Sequence, residues 1–343
     1  MKIALDATQS LDRNLSGVGV YSREILYGLA AAHPDTKFLF CYRPHRALRA
    51  LSPGLPTNAS RRLLWKDRVP AADLFHGLNQ RLDSRRHQRA VTTFHDLFVI
   101  TGDYSTPEFR RRFTAQAREA AVRSDLIIAI SEYTARQVEQ LLGIERARIR
   151  VIGHGVRRPP AAVIRVEREP MILFVGALQR RKNIEALVAA FEAVPANWRL
   201  TLAGSSGFES EQILARIRAS RRREDIQVLG YVSDAELETL YQRASVFAFP
   251  SLDEGFGMPV LDAMARGVPV LTSNTSAMPE VSGDAAFLVN PREAGSVREG
   301  LVTITQDESL RSSLQSKGLA RSLEFSWEKA VAETWKVYQE LTR

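Results

Sequence analysis

The sequence contains a single cysteine, Cys41, and lacks any apolar run long enough to cross a membrane. One cysteine excludes an internal disulfide and a cysteine-rich metal site, and it fits a reducing compartment. A spanning helix needs about 18 or more apolar residues, and the acidic residue Asp6 comes too early for a signal peptide. These absences predict a cytoplasmic protein.

Two further patterns are missing. No Asp-x-Asp pair occurs, and Asp253 and Asp284 stand singly. No alternation of aromatic and basic residues typical of an RNA-reading motif is found either. We therefore expect no metal site, no cofactor and no nucleic-acid partner.

The net charge of +8 is unevenly distributed. Residues 1–165 carry 27 basic against 15 acidic side chains, an excess of 12, whereas the remainder carries 20 against 24. Such asymmetry indicates that the first half meets something anionic: nucleic acid, a phosphorylated acceptor or a membrane surface. The alternative is an arginine-rich surface that is merely solvated.

Apolar, strand-like runs alternate with helical patterns along the chain. They cover residues 3–5, 37–42, 74–76, 90–94 and 126–130, and again 171–175, 200–203, 226–229, 246–249 and 268–272. Continuous apolar runs separated by amphipathic segments are typical of buried parallel strands. Because the pattern occurs twice in 343 residues, it predicts an α/β protein with two Rossmann-like, doubly wound domains that face each other across a cleft.

The domain boundaries follow from composition. The segment from Arg157 to Pro160 is the predicted linker, so the N-terminal domain covers 1–160 and the C-terminal domain 161–325. Residues 326–343 predict a final helix, since Trp327, Val331, Trp335 and Tyr338 share one face. Ligand is expected between the domains, at the carboxyl ends of strands.

The segment from Glu254 to Asp262 is the most informative one. It places an acid, a glycine-rich turn and a second acid after the apolar run 246–249. A strand, a flexible turn and a helix expose N–H groups to a phosphate, while the two carboxylates can accept hydrogen bonds from sugar hydroxyls. The alternative is that both acids are solvated and the glycines only serve the turn.

Three more segments carry polar groups at predicted strand ends. Gly176 is followed by Arg181 and Lys182 before a helix, and basic residues at a helix start favour a bound anion such as pyrophosphate. His95 follows the strand 90–94, where Asp96 could orient its ring, although such pairs are commonly structural. Another loop contains Gly17 and Gly19 but lacks the third glycine of a dinucleotide site.

The chain resembles the retaining glycosyltransferases of family 4, which have the GT-B fold. The matching motifs are residues 16–19, 94–97, 130–134, 175–176 with 181–183, 250–251 with 254–259, and 278–281 with 283–286. The sequences of residues 181–183, 279–281 and 283–286 are similar to those of a bacterial branch of the family that is rich in mannosyltransferases and related enzymes of polysaccharide and lipopolysaccharide assembly.

The resemblance implies roles for the matching residues. Arg181 and Lys182 would neutralise the donor diphosphate, Glu254 would hold the donor sugar, Asp262 would bind the ribose, and His95 would line the sugar and acceptor side. His95, Arg181, Lys182 and Glu254 are the predicted catalytic residues. The predicted donor-binding set is Gly17, Gly19, Gly176, Arg181, Lys182, Tyr231, Val232, Glu254, Gly255, Phe256, Gly257, Met258, Pro259 and Asp262.

The chain departs from the family pattern twice. Asp262 stands where glutamate is usual, and Ala177 stands where many members have arginine. The implied activity is metal-independent transfer of a sugar, mannose from GDP-mannose or the sugar of a UDP- or other nucleotide donor, to a glycan or lipid-linked acceptor. The final helix would cross back to the first domain, and the basic half would contact an anionic membrane peripherally, at the inner face. A sugar-nucleotide epimerase or phosphorylase and a nucleic-acid-binding protein are the alternatives.

Overall fold

The computed structural model describes residues 1–11, 15–51, 54–65, 71–82, 87–159 and 167–342. The chain divides into unit 1, Met1–Gly155 with Ser326–Arg343, and unit 2, Val156–Phe325. The predicted boundary at 160/161, part of the predicted linker and the terminal Arg343 lie outside the described residues. No helix of the described part is long and apolar enough to cross a membrane.

Unit 1 is built on a parallel sheet of seven strands. They are β1 (Lys2–Asp6), β2 (Lys37–Tyr42), β3 (Ala59–Leu63), β4 (Leu74–Gly77), β5 (Ala90–Phe94), β6 (Leu126–Ala129) and β7 (Ile149–Val151). The spatial order is β3-β2-β1-β4-β5-β6-β7. The helices are α1 (Gly17–Ala32), α2 (Phe98–Thr101), α3 (Pro107–Arg123), α4 (Glu132–Leu142) and, from the end of the chain, α12 (Trp327–Thr342).

Unit 2 repeats the plan with six parallel strands. They are β8 (Glu169–Val175), β9 (Arg199–Ala203), β10 (Ile226–Gly230), β11 (Ala244–Phe249), β12 (Val270–Ser273) and β13 (Ala286–Val289), in the order β10-β9-β8-β11-β12-β13. The helices are α5 (Ile184–Phe191), α6 (Ser210–Arg218), α7 (Asp234–Arg243), α8 (Met258–Ala265), α9 (Met278–Ser282), α10 (Ala294–Gln306) and α11 (Glu308–Ser322).

Local chemistry explains where several helices begin. Thr106 caps α3 by accepting a hydrogen bond from the amide of Phe109, and Pro107 opens that helix. Ser233 and Glu236 form a reciprocal capping box at α7. Each cap satisfies backbone N–H groups of the first turn and so fixes where its helix begins.

The two Rossmann-like units confirm the predicted fold class, and the ten predicted strands are all present. The sequence prediction missed β3, β7 and β13. Strand β3 is a polar edge strand with the sequence ASRRL, and β7 has only three residues. These two segments give no continuous apolar run, whereas β13, with the sequence AFLV, does have one and was overlooked. The predicted strand 268–272 is found as Val270–Ser273.

Candidate functional site

The strand order of unit 2 reverses between β8 and β11, which are hydrogen-bonded neighbours. From β8 the chain proceeds to β9 and β10 on one side, and it returns to β11 on the other. In open parallel sheets, ligands bind beside the carboxyl ends of strands at such a switch point. Lys182 follows β8 and Glu254 follows β11, so both lie at this point.

Three side chains converge on one oxygen of Glu254. The Oε1 atom accepts hydrogen bonds from Lys182 Nζ at 2.6 Å and from Ser251 Oγ at 2.6 Å. Arg181 Nη1 lies 2.8 Å from the same oxygen and also donates to the carbonyl of Asp253. These four residues form a compact cluster, which we call the Lys182–Glu254 cluster.

The cluster is buried and carries a cationic surplus. Arg181, Lys182 and Glu254 are only 6%, 8% and 7% exposed, and two cations share one carboxylate. Burial opposes ionisation of Glu254, but Arg181 and Lys182 outweigh it and lower its pKa to about 2. Lys182 Nζ also lies 4.7 Å from the centre of the Phe249 ring. Glu254 is therefore ionised at neutral pH and lies between two cations.

Two glycines with positive φ follow the strands beside the cluster. Gly176 and Gly204 end β8 and β9 with φ near +153° and +154°, and a side chain on Gly204 would overlap the carbonyl of Gly176. A Cβ on Gly176 would lie 3.7 Å from Lys182 Cε. This distance is an ordinary van der Waals contact, so the positive φ rather than the space calls for glycine at position 176.

Helix α8 starts directly beside Glu254. Gly257 precedes it at φ +94° with no side-chain cap, and Pro259 lies in its first turn. A helix start offers partial positive charge. Phe256 is buried 5.9 Å from Phe325, so its side chain packs inside the unit and only its backbone faces the turn. Gly255 is buried beside it.

The structure does not bring Asp262 into the Lys182–Glu254 cluster. Its carboxylate lies 3.6 Å from Arg266, one turn later on α8, and Arg266 in turn pairs with Glu238 of α7 at 2.7 Å. Burial raises the pKa of Asp262 to about 6, against the opposing charges of Arg266 and Arg157. A ribose contact at Asp262 therefore stays a prediction.

Tyr231 and Val232 follow β10, immediately before the Ser233 cap of α7. Tyr231 is half exposed, and Val232 is partly buried. The amide of Gly204 donates to the carbonyl of Gly230, which joins the ends of β9 and β10. Both residues therefore lie on the same carboxyl edge as the Lys182–Glu254 cluster, two strands away from β8.

His95 occupies the carboxyl end of β5 in unit 1. Its Nε2–H donates to the carbonyl of Leu78 at 2.9 Å, so Leu78 orients the ring, and the expectation that Asp96 does so is wrong. Burial lowers the pKa of His95 to about 4, and the neutral ring leaves Nδ1 as an acceptor. Among the described residues this buried atom has no hydrogen-bond partner. His95 can therefore accept a hydrogen bond from a hydroxyl group.

Gly17 and Gly19 belong to the start of α1. Gly17 is exposed, and Ser16 caps the helix by accepting from the Gly19 amide at 3.3 Å. A Cβ on Gly19 would lie 2.8 Å from the Leu15 side chain and 3.0 Å from the Gln9 carbonyl. Close packing therefore accounts for glycine at position 19.

Sequence reasoning gave no role to three residues of these sites. Ser251 bonds Glu254, Gly204 approaches Gly176, and the His154 ring lies 5.5 Å from that of His95. Gly204 follows β9 directly and Ser251 lies two residues after β11, and this position at a strand end is the signal that could have found them. His154 is adjacent to no apolar run as long as the predicted strands, so it carried no such signal.

Comparisons with known proteins agree with this geometry. Residues 160–321 match the family model for glycosyl transferases group 1, and residues 16–158 match that for Glycosyltransferase Family 4. O-antigen chain mannosyltransferase B of Escherichia coli is 32% identical over 295 residues, covering 81% of this chain and 77% of that protein.

Solved structures share the fold at low identity. Sucrose-phosphate synthase of Thermosynechococcus elongatus has a TM-score of 0.80 at 20% identity, with 99% of both chains covered. Anabaena HepE in complex with UDP-glucose has a TM-score of 0.75 at 18% identity, covering 99% of this chain and 100% of that one. The family models, the mannosyltransferase relative and the two Rossmann-like units together show that the chain belongs to the glycosyltransferases of the GT-B fold.

Proposed function

We propose that this glycosyltransferase is a retaining enzyme of family 4 that transfers mannose from GDP-mannose to a glycan or lipid-linked acceptor of surface polysaccharide. The Lys182–Glu254 cluster carries the proposal, because it places a buried cationic surplus at the ligand-binding edge of unit 2. The name of the O-antigen mannosyltransferase relative supports the choice of sugar and acceptor.

The cluster suits stabilisation of a leaving diphosphate. Cleavage of the anomeric C–O bond moves negative charge onto the diphosphate, and cations fixed in advance lower that barrier. Lys182 and Arg181 supply this charge, while Glu254 holds hydroxyl groups of the sugar. Since protein groups neutralise the diphosphate, transfer should proceed without a divalent metal. On a retaining path, attack and departure occur on the same face of the sugar.

The other assigned residues complete the donor site. The α8 start, from Gly255 to Pro259, faces the diphosphate with its backbone, and the exposed Tyr231 with Val232 lies where a base would extend from it. Asp262 binds the ribose in this proposal. His95 accepts a hydrogen bond from a hydroxyl group through Nδ1.

A titration of donors tests the proposal. GDP-mannose should raise the melting temperature and support transfer, and both effects should persist in excess EDTA. Lys182→Ala should abolish most transfer and weaken nucleotide binding, whereas Arg180→Ala, at an exposed neighbour that pairs with Glu209 at 3.7 Å, should change neither. Asp262→Glu should preserve nucleotide affinity if the ribose contact exists.

Three results would contradict individual parts. Normal turnover in a folded Lys182→Ala protein would remove the leaving-group role. Loss of transfer on chelation, restored by magnesium or manganese, would exclude metal independence. An inverted anomeric product would exclude the retaining course.

A UDP-sugar donor is the second candidate, because HepE shares the fold and its structure contains UDP-glucose. A panel of GDP-, UDP-, dTDP- and ADP-sugars separates the two, since a ligand that binds only the native state raises its stability. An epimerase of the same fold would convert the sugar nucleotide without an acceptor, which product analysis detects.

We also propose that the enzyme is cytoplasmic and that its basic unit 1 contacts the inner face of an anionic membrane peripherally. The Arg110–Arg112 run supports it less than composition suggests, because Arg110 pairs with Asp103, and Arg111 pairs with Glu108 at 3.3 Å. Wild type should pellet with anionic vesicles at low salt, more than an Arg110/Arg111/Arg112→Ser variant does. Equal pelleting of both proteins would exclude this segment.

A further inference from the structure

Four buried rings meet beside the carboxyl end of β5 in unit 1, and Tyr21 of α1 contacts the other three. Its ring centre lies 4.8 Å from that of His95 and 5.0 Å from that of His154. The ring of Trp327, at the start of α12, is 6.4 Å away. All four side chains are between 1% and 8% exposed. We call these residues the Tyr21 ring cluster.

Packing sets the tilt of the His95 ring. In the described part of the chain the imidazole makes one hydrogen bond, from Nε2–H to the Leu78 carbonyl at 2.9 Å, which leaves rotation about that corner open. Two rings restrict this rotation. Tyr21 meets His95 at 79° between the ring planes, and His154 meets it at 72° with the ring centres 5.5 Å apart. Edge-to-face contacts of this kind are favourable and directional, so they fix the ring plane.

Tyr21 is itself held in place. Its hydroxyl lies 2.9 Å from Oγ1 of Thr93, which belongs to β5 and precedes His95 by two residues. Its ring stacks on His154 at 23° between the planes. Tyr21 is therefore tied to the strand that leads into His95, and the fold fixes the spacing between the two rings.

His154 and Trp327 lie where the first part of unit 1 ends and the second begins. The first part ends at Gly155, and the second begins at Ser326. The rings of His154 and Trp327 are 5.7 Å apart, and a side chain on Gly155 would overlap the Trp327 backbone. The packing of these two parts therefore completes the Tyr21 ring cluster.

The tilt of the ring matters because one atom of His95 is available to a ligand. Burial lowers the pKa of His95 to about 4, so the imidazole is neutral, and its Nε2–H leaves Nδ1 as an acceptor. Among the described residues Nδ1 has no hydrogen-bond partner. A buried acceptor in this state is costly unless a ligand or water donates to it. Since no bond orients Nδ1, the surrounding rings determine its direction.

We propose that Tyr21 and His154 are positioning residues, which hold the His95 imidazole so that Nδ1 accepts a hydrogen bond from a hydroxyl group of the substrate. Trp327 supports them by packing on His154. The identity of the hydroxyl as a substrate group rests on the proposed glycosyltransfer. The orientation of the ring does not, because the contacts that set it belong to the protein alone.

NMR of the ligand-free protein tests the ring orientation apart from transfer. In a protein with 15N-labelled histidine, the signals that disappear in His95→Gln identify His95. The wild-type ring should be a single Nε2–H tautomer whose proton exchanges slowly with water, since it is buried and bonded to Leu78. Tyr21→Leu should give a mixture of tautomers or raise the exchange rate by about 10-fold or more, because the ring then opens from Leu78 more often.

Matched variants separate positioning from general damage. Tyr21→Phe keeps the ring and loses only the hydroxyl, so the His95 tautomer should stay as in wild type. Phe38→Leu removes an equally buried ring near the amino end of β2, and it should also leave His95 unchanged. His154→Leu removes the second ring and tests the same point if melting curves show that Tyr21→Leu does not fold. A wild-type tautomer and exchange rate in whichever of the two folds would overturn the proposal.

Transfer to substrate analogues tests the role of Nδ1. The panel comprises GDP-mannose and mannoside acceptors in which one non-reacting hydroxyl at a time is replaced by hydrogen. Wild type should use the analogue that lacks the hydroxyl bonded to His95 about 10-fold less well in kcat/KM. His95→Ala and Tyr21→Leu should both lose this discrimination, whereas Tyr21→Phe should retain it. The ratio is decisive because a merely structural defect lowers kcat/KM for the parent substrate and the analogue alike.

A double-mutant cycle connects the two residues. If Tyr21 acts through His95, Tyr21→Leu should cost no further activity in a His95→Ala background. Additive losses, undiminished discrimination in Tyr21→Leu, or a wild type that discriminates against none of the analogues would overturn the proposal. A His95 ring ordered by Tyr21 and His154 in a protein that transfers no sugar would contradict the proposed function and leave the ring orientation standing.

Discussion

Glu254 is the residue on which the charges of the unit 2 site depend. Its buried Oε1 atom lies 2.6 to 2.8 Å from Lys182 Nζ, Arg181 Nη1 and Ser251 Oγ. Removing one partner of a buried ion pair leaves the other charge without compensation, which is more costly than losing a surface pair. Glu254 therefore stabilises the donor-free protein by compensating these buried cations.

We expect Glu254→Gln to lower the melting temperature of the donor-free enzyme and to reduce turnover by about 10²-fold or more. Because a bound diphosphate would compensate Lys182 and Arg181, nucleotide should stabilise this variant more than wild type. Thermal unfolding with and without GDP measures the melting temperature and its shift by nucleotide, and an assay of sugar transfer measures turnover.

Glu169→Gln is the matched control. It breaks a partly exposed pair with Arg243 at 2.6 Å, and such pairs contribute about 0–1 kcal/mol. An equal nucleotide shift in wild type and Glu254→Gln would show that Glu254 does not balance the two cations.

At the residue scale, the sequence singles out residues whose local context contains the cause. Gly176 and Lys182 stand out because polar residues follow an apolar strand, and the structure brings Lys182 against Glu254 across 72 positions of sequence. The orientation of side chains could not be predicted. Asp262 turns toward Arg266 and α7, and His95 is held by Leu78, because tertiary neighbours decide these contacts.

At the scale of elements, apolar runs predicted the central strands and the edge strand β10 but missed the edge strands β3, β7 and β13. An edge strand needs fewer apolar residues because it has one neighbour, as the polar β3 shows. Helix α12 was predicted from the spacing of Trp327, Val331, Trp335 and Tyr338. Trp327, Val331 and Tyr338 are buried in unit 1, whereas Trp335 is only partly buried and stacks on His33.

Tyr338 anchors α12 in the core of unit 1. Its hydroxyl lies 2.5 Å from Nδ1 of His76, whose Nε2 lies 2.8 Å from Thr93 Oγ1. Tyr338→Phe leaves His76 without one buried partner, so we expect a loss of about 1–3 kcal/mol in the free energy of unfolding. Denaturant titration measures it.

Tyr27→Phe removes a comparable hydroxyl, which donates to the Gly54 carbonyl at 3.0 Å in an exposed position. This control should cost much less than Tyr338→Phe. Similar losses in the two variants would mean that the His76 bond contributes little to holding α12.

At the scale of the whole molecule, buried histidines make stability depend on pH. Burial lowers the pKa of His76 to about 3 and that of His95 to about 4, and it also lowers the pKa of His154. These groups take up protons in the unfolded chain first, so their contribution is complete above pH 6.5 and is lost as the pH falls toward 4. Asp262, with its raised pKa, acts in the opposite direction.

We expect the free energy of unfolding to fall by about 1.4 kcal/mol per histidine and pH unit between pH 6 and 4. His76→Gln should make this dependence shallower, because one titrating group is gone. His45→Gln, at an exposed position, should follow wild type. Denaturant unfolding at several pH values gives the slopes, and parallel curves for wild type and His76→Gln would contradict the account.

Unit 1 is assembled from two distant parts of the chain, Met1–Gly155 and Ser326–Arg343. They pack tightly, because Gly155 lies so close to the backbone of Trp327 that a side chain at position 155 would not fit. Residues 156–325 separate these parts, so the ribosome completes all of unit 2 before α12 emerges. Until then, the nascent first 155 residues expose the surface that Tyr338 and Val331 later cover. Unit 2 is contiguous and can fold during synthesis. A message truncated before Ser326 would therefore yield a chain whose first unit remains open to proteases and chaperones.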